Sequence, residues 1–128
     1  MKEYLIYEGE YFSAEWYFDE FGESEALEFF ETQSVDKQAK ILALIKLLCD
    51  HGQIRNITKF RNEGDKIYAF KPQPDRYLSF FTKDKKIVIT NAFVKKSQKL
   101  PRIEKDKALE RMRSYLIRAR RGEYYEKE

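Results

Sequence analysis

The spacing of apolar positions changes several times along the chain, and each change marks an element. Residues 13–18 (SAEWYF) are short and aromatic, which predicts a strand whose Ala14, Trp16 or Tyr17 meets a core. Phe21-Gly22-Glu23-Ser24 is a turn sequence, and Ser24 suits the cap of a helix carrying Ala26, Leu27, Phe29 and Phe30. A second helix opens at Ser34 or Asp36. In it Ile41, Leu42, Leu44, Ile45, Leu48 and Cys49 recur at three- and four-residue spacing until Gly52 ends the pattern. Two helices in succession predict a helical hairpin. The polar stretch 53–63 predicts a loop with one extended piece.

From Lys66 the period becomes two. Residues 66–71 (KIYAFK) and 76–82 (RYLSFFT) read as strands joined by Pro72-Gln73-Pro74-Asp75, where two prolines remove ladder donors and enforce a turn. Lys83-Asp84-Lys85 forms the next turn. Residues 86–94 then make a third strand, with Ile87, Ile89, Asn91 and Phe93 expected on one face and Val88, Thr90, Ala92 and Val94 on the other. Beyond Lys95 comes a basic connector, and Pro101 stands at a helix start. Ala108, Leu109, Met112, Tyr115 and Leu116 trace an apolar helical stripe. The expected end is a fraying helix bearing Arg118, Arg120 and Arg121, then a short acidic tail over residues 122–128. The order strand, two helices, three strands, helix predicts one α+β domain over residues 1–121.

A length of 128 residues and a 42% hydrophobic content agree with a single folded core. The formal charge of +3 hides an asymmetry. Residues 1–37 hold eleven acids against two bases, net −9, whereas residues 95–121 hold eleven bases against three acids, net +8. Charge segregated in this way favours a polyanionic partner at the basic end. Cys49 is the only cysteine, so no internal disulfide forms, and with His51 it is too few ligands for a structural zinc site. Two residues apart on a helix, Cys49 and His51 also point away from one another. The five glycines are isolated, so no phosphate-cradling loop can be written. No apolar run approaches a membrane span and no secretory signal precedes the first strand, which predicts a soluble, cytoplasmic protein without metal or membrane partner.

In a meander the second strand lies in the middle, and its first residue faces the last residue of the third. Lys71 and Arg76 flank the proline turn, and Lys95, Lys96 and Lys99 leave the third strand, so these cations are expected at one rim of the sheet. Lys59 and Arg61, in the preceding loop, and Arg102, at the helix start, extend the expected nucleic-acid-binding set. Crowded cations repel unless an anion holds them together, and a phosphodiester is a natural anion. Tyr68, Tyr77, Phe80, Phe81 and Phe93 interleave with the charges and offer rings for base stacking, though alternating aromatics more often form a core. Lys105, Lys107, Arg111 and Arg113 equally suit a solvated helix face.

The run from Ile89 to Pro101 contains Phe93, Lys95, Lys96, Ser97, Lys99 and Pro101 in the order F-x-K-K-[ST]-x-K-x-P. It closely resembles the signature of the phage-derived RelE/HigB-like toxins of toxin–antitoxin systems. Lys71 stands where those toxins commonly carry arginine, and Arg76 matches the arginine that opens their next strand. The resemblance implies a RelE/ParE-like fold, with an antiparallel β-meander packed against an N-terminal helical hairpin and followed by a C-terminal helix. It also implies a metal- and cofactor-independent, ribosome-dependent endoribonuclease that cleaves mRNA by 2′-hydroxyl attack. A cognate antitoxin, of helix-turn-helix type, would neutralise it. Under that resemblance Arg76 and Lys96 hold phosphorane oxygens and Lys71 or Lys95 moves protons; the place of His51 after the second helix gives it a structural or capping role. No histidine or matched tyrosine follows Lys96, unlike in some members. A gyrase-directed toxin of the ParE branch, or a non-catalytic RNA-binding module of the same fold, is the alternative.

Overall fold

The computed structural model describes residues 2–97 and 99–126. Its elements in chain order are β1 (Leu5–Glu8), β2 (Ser13–Trp16), α1 (Glu25–Glu31), α2 (Val35–His51), β3 (Phe60–Asn62), β4 (Tyr68–Phe70), β5 (Asp75–Phe81), β6 (Lys86–Val94) and α3 (Arg102–Arg120). The six strands form one sheet in the order β1-β2-β6-β5-β4-β3, giving a mixed α+β architecture. Every neighbouring pair is antiparallel except β2 and β6, which run parallel with Ser13 opposite Lys86 and Trp16 opposite Ile89. Parallel neighbours need a long crossover, and here it contains α1, α2 and three strands.

The helices begin and end where local chemistry dictates. Ser24 Oγ accepts from the Leu27 amide and Ser34 Oγ from the Lys37 amide, each satisfying a donor that the first turn leaves open. Gly52 closes α2 with φ of 83°, a left-handed conformation costly for other residues. The two helices each sit on the sheet, α1 against β6 and α2 against β1, β2 and β4. The expected hairpin is thus organised by the sheet. Trp16, Ile41, Ile45, Leu48, Phe70 and Tyr77 fill the layer between them. On the opposite face α3 covers β5 and β6, enclosing Ile67, Leu78, Phe80, Val88, Ala108 and Tyr115.

Three expectations require correction. First, the face assignment along β6 inverts midway. Leu78 faces Asn91 while Ser79 faces Ile89, so β6 holds an extra residue, Thr90, and the alternation switches sides there. Ile87, Ile89 and Ala92 therefore share the α1/α2 layer, whereas Val88 and Phe93 belong to the α3 side. Asn91 points its amide to Glu104 of α3, at 3.1 Å from the carbonyl and 3.0 Å from the carboxylate. Second, the N-terminal strand is a hairpin, with β1 added at the sheet edge. Its turn passes so close to α2 that a Cβ on Gly9 would lie 2.5 Å from the Cys49 carbonyl.

Third, the segment after α3 is core, not tail. Tyr124 is only 4% exposed, its hydroxyl accepts from the Phe18 amide at 2.9 Å, and its ring meets Tyr4, Tyr17 and Tyr115. Tyr125 donates to Glu15 at 2.6 Å and receives Lys86 at 2.8 Å. Arg118 caps this cluster, donating to the Tyr17 hydroxyl and the Phe18 carbonyl at 2.8 Å each. Residues 127 and 128 of the expected tail lie outside the described residues. Within α3, Leu116 is 43% exposed and leaves the stripe, which Ala108, Leu109, Met112, Tyr115 and Ala119 complete. Among the described residues no helix is long and apolar enough to cross a membrane.

Candidate functional site

Register brings the two ends of the β5–β6 pair together. Asp75 lies opposite Val94 and Arg76 opposite Phe93, and the Lys95 amide continues the ladder to the Pro74 carbonyl at 3.2 Å. On the other side of β5, the Lys71 amide donates to the Lys59 carbonyl at 2.8 Å, extending the β3–β4 pairing past its last strand residues. Alternation sets Lys71 with Ala69 and Arg76 with Leu78, on the α3 face. Of the cations expected at one rim, Arg76, Lys95 and Lys96 meet there, Lys71 is close enough to feel the charges of Arg76 and Lys95, and Lys99 lies apart. A cleft of about 430 Å³ is lined by Gln73, Pro74, Arg76, Lys95, Lys96 and Ser97.

Arg76 is the most constrained of these groups. It is 6% exposed, and its Nη1 donates to Gln73 Oε1, the Pro74 carbonyl and the Asp75 carbonyl at 3.2, 3.2 and 2.9 Å. Its buried Nε has no partner among the described residues. A buried charged donor left unsatisfied is costly, and the fold carries that cost at this rim. Burial pulls the guanidinium below its ordinary value while Glu63 and Asp75 oppose the shift, and a guanidinium remains charged regardless.

Lys71 is also buried, with Nζ donating to the Ile57 carbonyl at 3.1 Å. Burial lowers its pKa first, and the charges of Arg76, Lys95 and Arg61 lower it further against an opposing effect from Glu63. An ammonium among other cations gives up its proton more readily, which is what proton transfer near neutral pH requires. Asp75 behaves in the opposite sense. It is 2% exposed, faces the α1/α2 side, has no partner for Oδ1 among the described residues, and burial raises its pKa against Lys37 and Arg76.

The remaining expected cations divide. Lys99 and Arg102 line an adjoining groove of about 400 Å³ that also includes Glu63, Asp65, Leu100 and Leu109. Arg61 is exposed on β3 and acts on Lys71 through its charge, while Lys59 contributes its carbonyl and leaves its side chain in solvent. By contrast, several α3 cations are answered internally. Lys107 and Arg111 share Glu25 at 2.9 and 2.7 Å, and Lys105 binds Asp65 at 2.9 Å. The acidic front and basic back are thus partly ion-paired with each other, whereas among the described residues no carboxylate pairs with Lys95, Lys96 or Lys99.

The aromatic residues do not form a stacking platform. Tyr77 and Phe80 are 1% exposed, and Tyr68, Phe81 and Phe93 pack against the two cores. His51 ends α2 in solvent, and burial pushes the Cys49 thiol up to about 11, so neither joins the rim. Tyr115, Tyr124 and Tyr125 are held in the C-terminal cluster, where burial raises each phenol's pKa. Two rim residues had no signal of their own in the sequence. Gln73 looks like turn filler between prolines, yet it bridges Arg76 to the Thr58 carbonyl at 3.4 Å. Glu63 looks like loop polarity, yet its charge reaches both Lys71 and Arg76.

No curated protein matches the chain. The family model described as phage derived protein Gp49-like (DUF891) matches residues 28–113, more than half of the chain and every strand of the rim. With the cationic rim and its connector inside the matched region, the chain belongs to the Gp49-like family of phage-derived proteins.

Proposed function

We propose that this protein is the toxin of a type II toxin–antitoxin pair, with a RelE/ParE-like arrangement, acting as a metal-independent, ribosome-dependent endoribonuclease on mRNA. The Gp49-like family is associated with toxins of such systems. The observation that carries the reading is Arg76: a buried guanidinium held by three acceptors on Nη1, with an unpaired Nε and with Lys71, Lys95 and Lys96 around it. This arrangement suits an anionic phosphodiester.

In the proposed reaction the 2′-hydroxyl oxygen of one nucleotide attacks the adjacent phosphorus while the bond from phosphorus to the 5′-oxygen breaks. The products are a 2′,3′-cyclic phosphate and a free 5′-hydroxyl. Arg76 and Lys96 hold the non-bridging oxygens, whose negative charge grows as the phosphorane forms. Lys71 in its neutral form takes the 2′-hydroxyl proton, and Lys95 gives a proton to the departing 5′-oxygen. Lys99, Arg102, Lys59 and Arg61 attract the flanking backbone. In this reading the protein works in the cytoplasm, and a helix-turn-helix antitoxin neutralises it.

A second reading, non-catalytic RNA binding, draws on the absence of histidine or tyrosine from the described rim. One experiment separates the two. Wild type and an Arg76→Ala/Lys96→Ala variant are expressed in translating cells, and mRNA ends are mapped by primer extension. New ends at codon-related positions in the wild type alone support the ribonuclease. Growth arrest without new ends removes it in favour of the binding reading.

A further inference from the structure

The groove beside the cationic cleft is built differently from it. Its lining carries the carboxylates of Glu63, Asp65 and Asp106 together with Lys99, Arg102 and Lys105, and its apolar surface comes from Leu100 and Leu109. Equal numbers of both signs give a phosphate no preference for this groove over the cleft. The charges are also largely engaged. Asp65 binds Lys105 at 2.9 Å, and Asp106 lies 3.8 Å from Arg102. Glu63 is the carboxylate that no donor claims among the described residues.

Glu63 is nonetheless held in place. Its amide donates to the Ile67 carbonyl at 2.8 Å, its carbonyl accepts from Lys105 Nζ at 3.0 Å, and Asn62 Oδ1 accepts from the Gly64 amide at 2.9 Å. The turn is thus tied to α3, and Glu63 is half-buried in a groove whose lining also includes Leu100 and Leu109. The groove and the cleft share the connector after β6, with Lys95, Lys96 and Ser97 lining one and Lys99 and Leu100 the other. Glu63's charge is also felt at Arg76, so a strand whose phosphate sits at Arg76 carries its neighbouring base toward the groove.

We infer that this groove reads a guanine base next to the bound phosphate, with Glu63 as the specificity-determining residue. The inference rests on the RNA-binding reading of the rim. An ionised carboxylate only accepts hydrogen bonds, and its two oxygens suit two adjacent donors. Guanine presents such a pair, N1–H and the 2-amino group. Adenine and cytosine set a donor beside an acceptor that the carboxylate repels, and uracil flanks its one N–H with carbonyls. Leu100 and Leu109 supply contact for the faces of the ring, which the buried aromatics do not.

The test uses the full chain and fluorescently labelled 2′-O-methyl oligouridylates, which lack the attacking hydroxyl, carrying one central guanosine, inosine or adenosine. Inosine keeps N1–H and lacks the 2-amino group. Loss of one hydrogen bond to a charged acceptor predicts about tenfold weaker binding of the inosine oligonucleotide by fluorescence anisotropy. Glu63→Gln brings that ratio close to one, and Arg76→Ala weakens all three oligonucleotides alike. Equal binding of guanosine and inosine by the wild type overturns the inference; if Arg76→Ala still weakens both, the phosphate-binding rim stands. Indifference of every oligonucleotide to Arg76→Ala overturns the rim reading and the inference with it.

Discussion

Removing one oxygen from Tyr124 isolates what the C-terminal clasp contributes. In Tyr124→Phe the ring contacts with Tyr4, Tyr17 and Tyr115 remain, while the bond from the Phe18 amide at 2.9 Å is lost. Phe18 is itself buried, so its amide gains no water in exchange. A buried donor left without a partner costs about 1–3 kcal/mol. Tyr124→Ala adds the loss of a large core side chain and should cost about 3–5 kcal/mol in total. For a domain of this size one kcal/mol shifts the melting temperature by about 4 °C. Calorimetry or circular-dichroism melts should therefore show Tyr124→Phe about 4–12 °C below wild type and Tyr124→Ala lower still. Deletion of residues 122–128 should be at least as damaging as the alanine variant. A Tyr124→Phe melt within 1 °C of wild type, with a deletion mutant that also melts normally, would refute the view that this segment is core.

Other expectations follow from the same contacts. Burial raises the Glu25 pKa, but hydrogen bonds from Lys107 and Arg111 outweigh that effect and leave it lowered. A carboxylate with a depressed folded pKa stabilises above its unfolded value and loses that contribution as pH falls through the folded one. Glu25→Gln should thus cost about 1 kcal/mol near neutral pH and progressively less on acidification, as read in urea melts. Arg61→Gln removes a charge that lowers the Lys71 pKa, so the alkaline-rising limb of any RNA-cleavage profile should move to higher pH; a shift to lower pH would contradict the electrostatics. Lys96→Ala should reduce the salt dependence of single-stranded RNA binding by about 0.7 in log–log slope, the loss of one phosphate contact. Gly9→Ala forces a methyl to within 2.5 Å of the Cys49 carbonyl and should lower the melting temperature well beyond the effect of Gly122→Ala, where nothing lies within 4 Å and only the left-handed φ of 71° opposes a side chain.

Much of the fold was legible because it is local. Ser24, Ser34 and Gly52 announce helix ends through bonds made within a few residues, and the β5–β6 hairpin follows from alternation and the turn at residues 83–85. What stayed hidden depends on distant partners. The bulge at Thr90 has no signature in alternating apolar residues; it becomes visible only when Asn91 finds Glu104 thirteen positions later. Tyr124 and Tyr125 look like decoration of an acidic tail until Phe18 and Glu15 meet them from the other end of the chain. The cationic rim was legible for a geometric reason, since antiparallel register alone places Arg76 beside the exit of β6. That Lys107 and Arg111 are neutralised by Glu25 was not, because net charge by segment says nothing of which segments touch.

The parallel pairing of β2 with β6 also imposes an order on synthesis. Contact between these strands closes a loop of roughly 70 residues, an entropic cost met only by interactions that also require the later strand. While the chain is being made, β1 and β2 emerge first yet have no sheet to join until β6 has left the ribosome. Tyr124 and Tyr125 lie beyond α3, so they reach Phe18 and Glu15 later still. The rim hairpin is therefore made before the segment after α3 can lock onto Phe18 and Glu15, so a late-made segment closes over one of the earliest-made strands.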